Sequence, residues 1–316
     1  MRVLITGAAG QLGQALLQHR PASLGGVPLE LIATSREGGD GQVALDLADA
    51  AACRAVVEQL RPDWLINAGA YTAVDRAEAE PALVRAVNAA APAAFAEAVQ
   101  ACGGRLLQLS TDFVFGGGQG SPYRPEQPLD PLGVYGASKA AGEQAVLERL
   151  GGEGRVVVLR TGWVYGPVGR NFLLTMLRLH RERAAAGAEL AVVADQVGCP
   201  TATAGLAQAC WQVLGAGAAG DGGVGAAHGL PPILHWSDAG AASWYDFAVA
   251  IGELGVSCGL LDQAASVQPI TTADYPTPAQ RPSYSLLECS TTRAALGLAP
   301  QHWRAALASV IRQLAG

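Results

Sequence analysis

The chain is poor in charge. Only 15% of its 316 residues are Asp, Glu, Lys or Arg, against roughly 25% in an ordinary soluble domain. Half are hydrophobic, and that balance excludes intrinsic disorder, which needs low hydrophobicity and high net charge. Basic residues are the minority, 21 against 27 acidic, for a formal charge of −6, so a nucleic-acid surface is not expected. The six cysteines are scattered, with no CxxC pair and no metal-ligand spacing. They read as reduced thiols of a cytoplasmic protein without a metal site. Long apolar runs are lacking too. The opening residues Met1 to Gly7 hold an apolar stretch too short for a signal peptide. The least charged stretch, 196–220, is broken by Pro200, Thr201, Thr203, Gln208, Gln212 and several glycines. A bilayer span wants ~20 mostly apolar residues, so this stretch is expected to be a buried Ala-rich helix plus a loop, with no membrane insertion. The positive mean hydropathy of +0.22 comes from alanine and other small residues. A chain of this length buries a core without disulfides or metals, and the length predicts about two domains of ~150 residues.

What is present is regular punctuation. Residues 2–6 form a short apolar run ending in glycines, as a buried parallel strand does, and a helical pattern through Leu12, Leu16 and Leu17 follows. Further strands are predicted at 29–34, 44–46, 64–68, 105–110 and 155–159, with helices at 50–60, 78–102 and 134–150. Strands alternating with helices of this length imply βαβ units. The expected fold is α/β, a Rossmann-type doubly wound parallel sheet with right-handed crossovers. After about Thr161 the alternation weakens. Helices at 172–183, 204–214 and 243–253 and a strand at 190–194 are joined by Pro/Thr/Tyr-rich stretches at 269–272 and 275–285. Residues 215–229 are nearly pure Gly/Ala, a surface loop or linker. The expected division is a dinucleotide-binding domain over 1–161 and a smaller substrate lobe over 162–316, some of whose segments return to the first.

Gly7-Ala8-Ala9-Gly10-Gln11-Leu12-Gly13 follows the first strand and opens a helix. Glycines there let the backbone approach a pyrophosphate, and the helix N-terminus, at Gln11 and Leu12, supplies N–H groups and partial positive charge. The same glycines serve any tight strand-to-helix turn, but the strand before them favours a cofactor turn. An acidic residue ending the second strand would hold a ribose 2′-OH, whereas Arg accommodates a 2′-phosphate. Here that strand ends Ala33-Thr34-Ser35-Arg36, which points to NADPH, with NADH as the alternative and an ordinary exposed turn as the bland reading. Asp46 and Leu47, at the end of the third strand, are placed to reach the adenine. Ala68, Gly69 and Ala70, ending the fourth, would let a cofactor lie over the sheet.

The second constellation is Tyr135-Gly-Ala-Ser-Lys139 at the start of a helix, preceded by a strand ending Ser110-Thr111-Asp112. Residues four apart share a helix face, and a neighbouring cation favours ionised phenol, so Tyr135 is expected to exchange protons near neutrality with Lys139 beside it. Thr111 can hydrogen-bond the same substrate oxygen. Together these groups form a carbonyl–alcohol proton-transfer site beside a hydride carrier. Alone, YxxxK is more often a solvated helix face. The preceding nucleotide turn and strand end make the pattern specific.

With these motifs the chain resembles the extended short-chain dehydrogenase/reductases, and within them the dTDP-4-dehydrorhamnose reductases. The similarity continues through Asn67-Ala-Gly-Ala-Tyr-Thr-Ala-Val-Asp75, Ser110-Thr-Asp-Phe-Val-Phe115, Gly142-Glu143, Arg160-Thr-Gly-Trp-Val-Tyr165, Asn171-Phe172, Thr175-Met-Leu-Arg178, Asp195-Gln-Val-Gly-Cys-Pro-Thr201 and Tyr275-Pro-Thr-Pro-Ala279 with Arg281-Pro282 and Ser285. The resemblance implies NAD(P)H-dependent reduction of a sugar 4-ketone on a nucleotide-sugar substrate. It makes Tyr135 the proton donor and Lys139 its cofactor-holding partner. Tyr71 would also face the cofactor, while Thr72, Val74, Thr111, Asp112, Phe113, Tyr135, Trp163 and Arg281 would surround the substrate. Each has a plainer reading: Trp163 as core, Asp112 as a cap of the following turn, Thr201 as an N-cap, and Tyr275 to Arg281 as a proline-stiffened loop rather than a wall bringing Arg281 to a diphosphate.

Two departures stand out. The family commonly has Tyr where this chain has Phe113. Some members dimerise through a magnesium bridged by acidic side chains, yet Gly13-Gln14-Ala15-Leu16 lacks a carboxylate, so a monomer or metal-free dimer is expected. Two other classes stay open. A nucleotide-sugar epimerase or dehydratase shares the fold, but the dehydratase's Glu after Thr-Asp is Phe113 here. A non-catalytic subunit like the β subunit of methionine adenosyltransferase resembles the same reductases, but retention of Thr111, Tyr135 and Lys139 favours a live enzyme.

Overall fold

A computed structural model describes residues 1–218 and 229–316. Seven parallel strands form the central sheet: β1 (Arg2–Thr6), β2 (Glu30–Ser35), β3 (Val43–Ala44), β4 (Trp64–Asn67), β5 (Arg105–Thr111), β6 (Val156–Thr161) and β7 (Ile233–His235). Their spatial order is β7-β6-β5-β4-β1-β2-β3, so the chain starts near the middle and reverses direction beside β1. In open α/β sheets such a switch point is where ligands bind, outside the carboxyl ends of the strands. Apolar residues continue along β4 and β6 instead of alternating with polar ones, because helices cover both faces. Successive residues therefore serve different cores: Val3 and Ile5 pack with Leu107, Leu206 and Trp211, whereas Leu4 packs with Leu65, Phe95, Leu106 and Val146. Phe95 is fully buried, and truncating such a side chain to Ala costs about 3–5 kcal/mol.

The later half of the chain carries a further core, built by Tyr165, Leu173, Phe247, Ile251, Trp303 and Leu307. Its helices are well started. Asn171 caps Phe172–Ala185 by accepting from Leu174 N–H at 3.0 Å, and Ser243 with Asp246 forms a capping box on Trp244–Ser257. Two late segments return to the sheet. The helix Thr203–Ala218 packs its Leu206, Trp211 and Leu214 on one face, and β7 extends the edge beside β6.

Several boundaries differ from the sequence reading. The second strand is shifted by one residue to end at Ser35, and the third ends at Ala44, leaving Asp46 in the following turn. The fourth ends at Asn67, whose side chain is drawn into a buried hydrogen-bond chain. The predicted helix at 78–102 is instead Val74–Ala77, Pro81–Arg85, a π-helical turn Ala86–Ala90 and Ala91–Cys102. Pro81 and Pro92 each fall at the start of a segment, where a missing N–H costs least. The run Pro81–Cys102 is long and apolar enough to cross a membrane, but 56% of its most apolar window is buried inside the protein, the mark of a core helix. Residues 215–218 of the predicted Gly/Ala loop complete the helix Thr203–Ala218, since alanine favours helix. Residues 219–228 of that loop lie outside the described residues.

Candidate active site

The glycine turn is shaped by contact. Gly7 has φ +66°, and a Cβ there would fall 2.5 Å from Gly69 Cα; a Cβ on Gly13 would fall 2.2 Å from the Gly7 carbonyl oxygen. Only glycine fits either place. Gly10, at the N-cap of Gln11–Gln18, provides no capping side chain, so the first-turn N–H groups are left for another acceptor. The bare, closely approached backbone fits a dinucleotide pyrophosphate. Gly69 abuts the same turn and Leu47, whose Cδ1 would lie 2.5 Å from a Cβ on it. Gln11 turns elsewhere: its amide donates to the Arg170 carbonyl at 3.2 Å and accepts from Asn171 at 2.8 Å, which ties the turn to the later half of the chain.

Around the second strand end, the Ser35 hydroxyl accepts the Gly38 N–H at 3.1 Å. Arg36 lies exposed, 3.8 Å from the Asp46 carboxylate. The structure thus brings Ser35, Arg36 and Asp46 together at one corner, with the Arg36 guanidinium facing an anion that is itself exposed.

A buried polar chain runs across the sheet beneath this cradle. Thr6 Oγ1 accepts the Gly69 N–H at 3.2 Å and donates to Asn67 Oδ1 at 2.6 Å. Asn67 Nδ2 donates to Gln108 Oε1 at 2.8 Å, and Gln108 Nε2 donates to the Leu109 carbonyl at 2.9 Å. The same carbonyl accepts Lys139 Nζ at 2.7 Å. The glycine cradle and the helix lysine are therefore coupled through three neighbouring strands.

Thr111, Asp112, Phe113, Tyr135 and Lys139 meet at the C-terminal end of β5. The helix Val134–Leu150 can start there because Gly136 lets it approach: a Cβ on Gly136 would lie 2.2 Å from the Phe113 carbonyl oxygen. Glu78 accepts the Val134 N–H at 2.8 Å and caps this helix from a distant segment. Thr111, rather than Asp112, caps the next turn, accepting the Phe113 N–H at 3.2 Å. Its hydroxyl also donates to Asp112 Oδ1 at 3.1 Å and acts on the Tyr135 phenol by favouring its ionised form. The Phe113 and Tyr135 rings meet edge to face, 5.9 Å apart.

The electrostatics correct one expectation. Tyr135 is not tuned toward neutrality: burial, with the Asp112 charge adding to it, pushes the phenol up to about 12, with Thr111 opposing. Burial takes Lys139 down to about 8 against the pull of Glu143, and its ammonium is directed to the Leu109 carbonyl. Asp112, buried, is raised to about 6 by desolvation, with hydrogen bonds to Ser285 and Thr111 opposing. In each case burial penalises the charged form, and the phenol is held as an acid.

Other expected site residues are placed differently. Tyr71 donates its phenol to Glu80 at 2.6 Å, while its backbone is clamped on both sides by Asn88, which accepts the Tyr71 N–H at 2.9 Å and donates to its carbonyl at 3.0 Å. Asn88 also donates to Ser138 at 3.1 Å, whose hydroxyl donates to the Tyr135 carbonyl at 2.7 Å. Sequence reasoning missed Asn88; a lone Asn in an Ala/Val helix was the available signal, and the π turn that carries it is a frequent functional-site feature. Thr72 is exposed, and Val74 lines a cleft that reaches Tyr135 and Phe113. Trp163 has φ +52°, strained for a bulky residue, and stacks on Trp244 with ring centroids 3.5 Å apart. Thr201 is no N-cap: it pairs with Val164 in a two-residue bridge, Thr201–Ala202 against Val164–Tyr165. Arg281 donates to Asp75 at 2.8 Å and to Thr277 at 2.6 Å, so it is committed to protein partners.

A nucleotide cradle at the switch point, with a Tyr/Lys helix meeting a strand-end Thr, is the arrangement of the extended short-chain dehydrogenase/reductases. A family model, the RmlD substrate binding domain, matches residues 1–315. A dTDP-4-dehydrorhamnose reductase of Streptomyces griseus is 41% identical over 319 residues, covering 100% of this chain and 94% of that protein. The crystal structure of a dTDP-4-dehydrorhamnose reductase from Clostridium acetobutylicum superposes with a TM-score of 0.84 at 32% identity over 99% of both chains. That of the Bacillus anthracis reductase, in complex with NADP, gives 0.82 at 32% identity, again over 99% of both. The chain belongs to the dTDP-4-dehydrorhamnose reductase family.

Proposed function

We propose that this protein reduces the 4-keto group of dTDP-4-dehydro-L-rhamnose, giving dTDP-L-rhamnose, as a cytoplasmic NADPH-dependent enzyme working as a monomer or metal-free dimer. The observation that carries this reading is the meeting of Thr111, Tyr135 and Lys139 at a strand end coupled by hydrogen bonds to the glycine cradle. NADPH, when bound, supplies the hydride. The backbone at Gly7, Gly10 and Gly13 and the N–H groups of Gln11 and Leu12 hold its pyrophosphate. Arg36, released from Asp46, and Ser35 face its 2′-phosphate, with Leu47 and the 68–71 segment along its length. Lys139 holds the cofactor ribose. Tyr135 donates its phenolic proton to the ketone oxygen as that oxygen gains negative charge, and Thr111 turns its hydroxyl from Asp112 to donate to the same atom. A phenol raised by burial keeps its proton until an alkoxide, a far stronger base than phenolate, forms beside it. Asp112, Thr72 and Val74 meet the sugar, Phe113 and Trp163 offer apolar faces to it, and Arg281, once released from Asp75, serves the diphosphate. The test is loss of NADPH absorbance on adding dTDP-4-dehydro-L-rhamnose, with the GDP-linked keto sugar as comparison. Rapid loss with the dTDP sugar alone is expected. Tight NADPH binding with no loss from either sugar would replace this reading with that of a cofactor-binding subunit.

A further inference from the structure

The cleft above Tyr135 has two walls from distant parts of the chain. Val74 and Glu78 line one; Ala279, Gln280 and Pro282 line the other. One ion pair crosses between them. Arg281 Nη2 donates to Asp75 Oδ2 at 2.8 Å, and Asp75 Oδ1 accepts the Ala279 N–H at 3.4 Å. Arg281 Nη1 is anchored by the Thr277 hydroxyl at 2.6 Å and the Ala279 carbonyl at 3.3 Å. The guanidinium is thus aimed by its own loop, while Asp75 arrives from the early part of the chain to occupy it.

The seat Asp75 takes, a guanidinium N–H beside a backbone N–H, suits one terminal oxygen pair of any oxyanion. Asp75 is 42% exposed and Arg281 22%, so the pair, whose sequence neighbours Val74, Gln280 and Pro282 line the cleft, is in reach of solvent and solutes. An ion pair so placed is weak and exchangeable. Arg281 holds the Asp75 carboxyl below its usual range, so Asp75 is a charged competitor throughout the neutral range.

We propose that Asp75 is an internal stand-in for the substrate's diphosphate: it occupies Arg281 and latches the two cleft walls, and a nucleoside diphosphate group enters by displacing it from the guanidinium. This rests on the nucleotide-sugar reading above and adds a specificity rule. An uncharged or singly charged keto sugar competes poorly with the Asp75 carboxylate; a diphosphate, with more charge and more acceptor oxygens, displaces it. The latch makes the site selective for the anion it mimics.

The alternative is a purely structural tie, in which Asp75 merely fixes the 275–285 segment. The two differ in sign. Asp75→Asn keeps the shape and a hydrogen-bonding side chain while removing the charge, and Arg281→Lys keeps a cation while losing the fork. Calorimetric titration of each full-length protein with dTDP reads the diphosphate seat without any turnover, and KM for the dTDP keto sugar reads it during reaction. A displaced competitor predicts that Asp75→Asn binds dTDP about three- to fivefold tighter, the scale of an exposed ion pair, and lowers KM alike, while Arg281→Lys weakens both. Unchanged or weaker dTDP binding by Asp75→Asn overturns the latch, because a structural tie can only be loosened by the change. Unaltered dTDP affinity in Arg281→Lys overturns it as well. Wild-type protein that oxidises NADPH with a keto substrate but ignores dTDP would instead remove the nucleotide-sugar reading, and the latch with it.

Discussion

Two buried charged clusters share the helix Val134–Leu150, four residues apart, and they are built in opposite ways. Glu143 is clasped by Arg160 through bonds of 3.0, 3.1 and 2.7 Å. Arg160 Nη1 also reaches the Pro125 carbonyl at 3.0 Å and His235 Nε2 at 3.3 Å. Its guanidinium lies over the Phe115 ring, 5.2 Å from the centroid. His235, driven down to about 3 by burial and then by Arg160, is neutral and accepts that bond while its other nitrogen faces the Tyr123 carbonyl. Lys139, one turn earlier, sits equally deep but is met by a neutral carbonyl, and burial depresses it to about 8. The carboxylate clasped directly by a guanidinium belongs to the fold; the lysine, drawn by Glu143 but touching only a carbonyl oxygen, is the candidate for chemistry. Groups shifted in this way concentrate at functional sites.

The contrast can be broken at both ends. Tyr135→Phe removes the acid without touching either charge. It should leave the melting temperature and NADPH affinity in place while kcat falls about 10²–10⁴-fold; normal turnover would unseat Tyr135. Glu143→Ala strands Arg160 in the interior, and breaking such a pair costs about 3–5 kcal/mol, read as a lowered denaturant midpoint. A loss under about 1 kcal/mol would show that the cluster is not the structural one. Lys139→Met should move the two properties apart, abolishing turnover yet stabilising the protein by up to about 3 kcal/mol at neutral pH. The sign follows from linkage. The unfolded chain keeps the lysine proton to about pH 10.4, the folded one releases it near 8, so the burial penalty is complete below pH 8 and fades as pH rises through that window. The variant's advantage should shrink likewise between pH 8 and 10, and wild-type turnover should decline above about pH 8. Destabilisation by Lys139→Met at pH 7 would contradict the assignment of roles.

Much of this was legible in the sequence, for local reasons. The glycine turn announces itself because each glycine answers a backbone contact a few residues or one strand away, and the alternation of apolar runs with helical patterns fixes a parallel sheet without knowledge of packing. Tyr135 and Lys139 are visible because a helix places them by spacing alone. The long-range partners were hidden. Asp75 meets Arg281 across 206 positions, Glu78 caps a helix 56 residues away, and Trp163 finds Trp244; no local pattern predicts such pairings. The same cause misled the electrostatics. Spacing puts Lys139 beside Tyr135, but burial and the Leu109 carbonyl, set by the fold, decide where its charge goes. The π turn at Ala86–Ala90 was likewise unreadable, since propensity alone predicts an unbroken helix there.

The most direct test of the central claim is to run the reaction with NADPH carrying deuterium at nicotinamide C4 on the transferred face and to examine the sugar product by NMR. The account predicts dTDP-L-rhamnose with deuterium bonded to sugar C4. Deuterium at another sugar carbon, or recovery of the keto sugar with NADPH unconsumed, would contradict it.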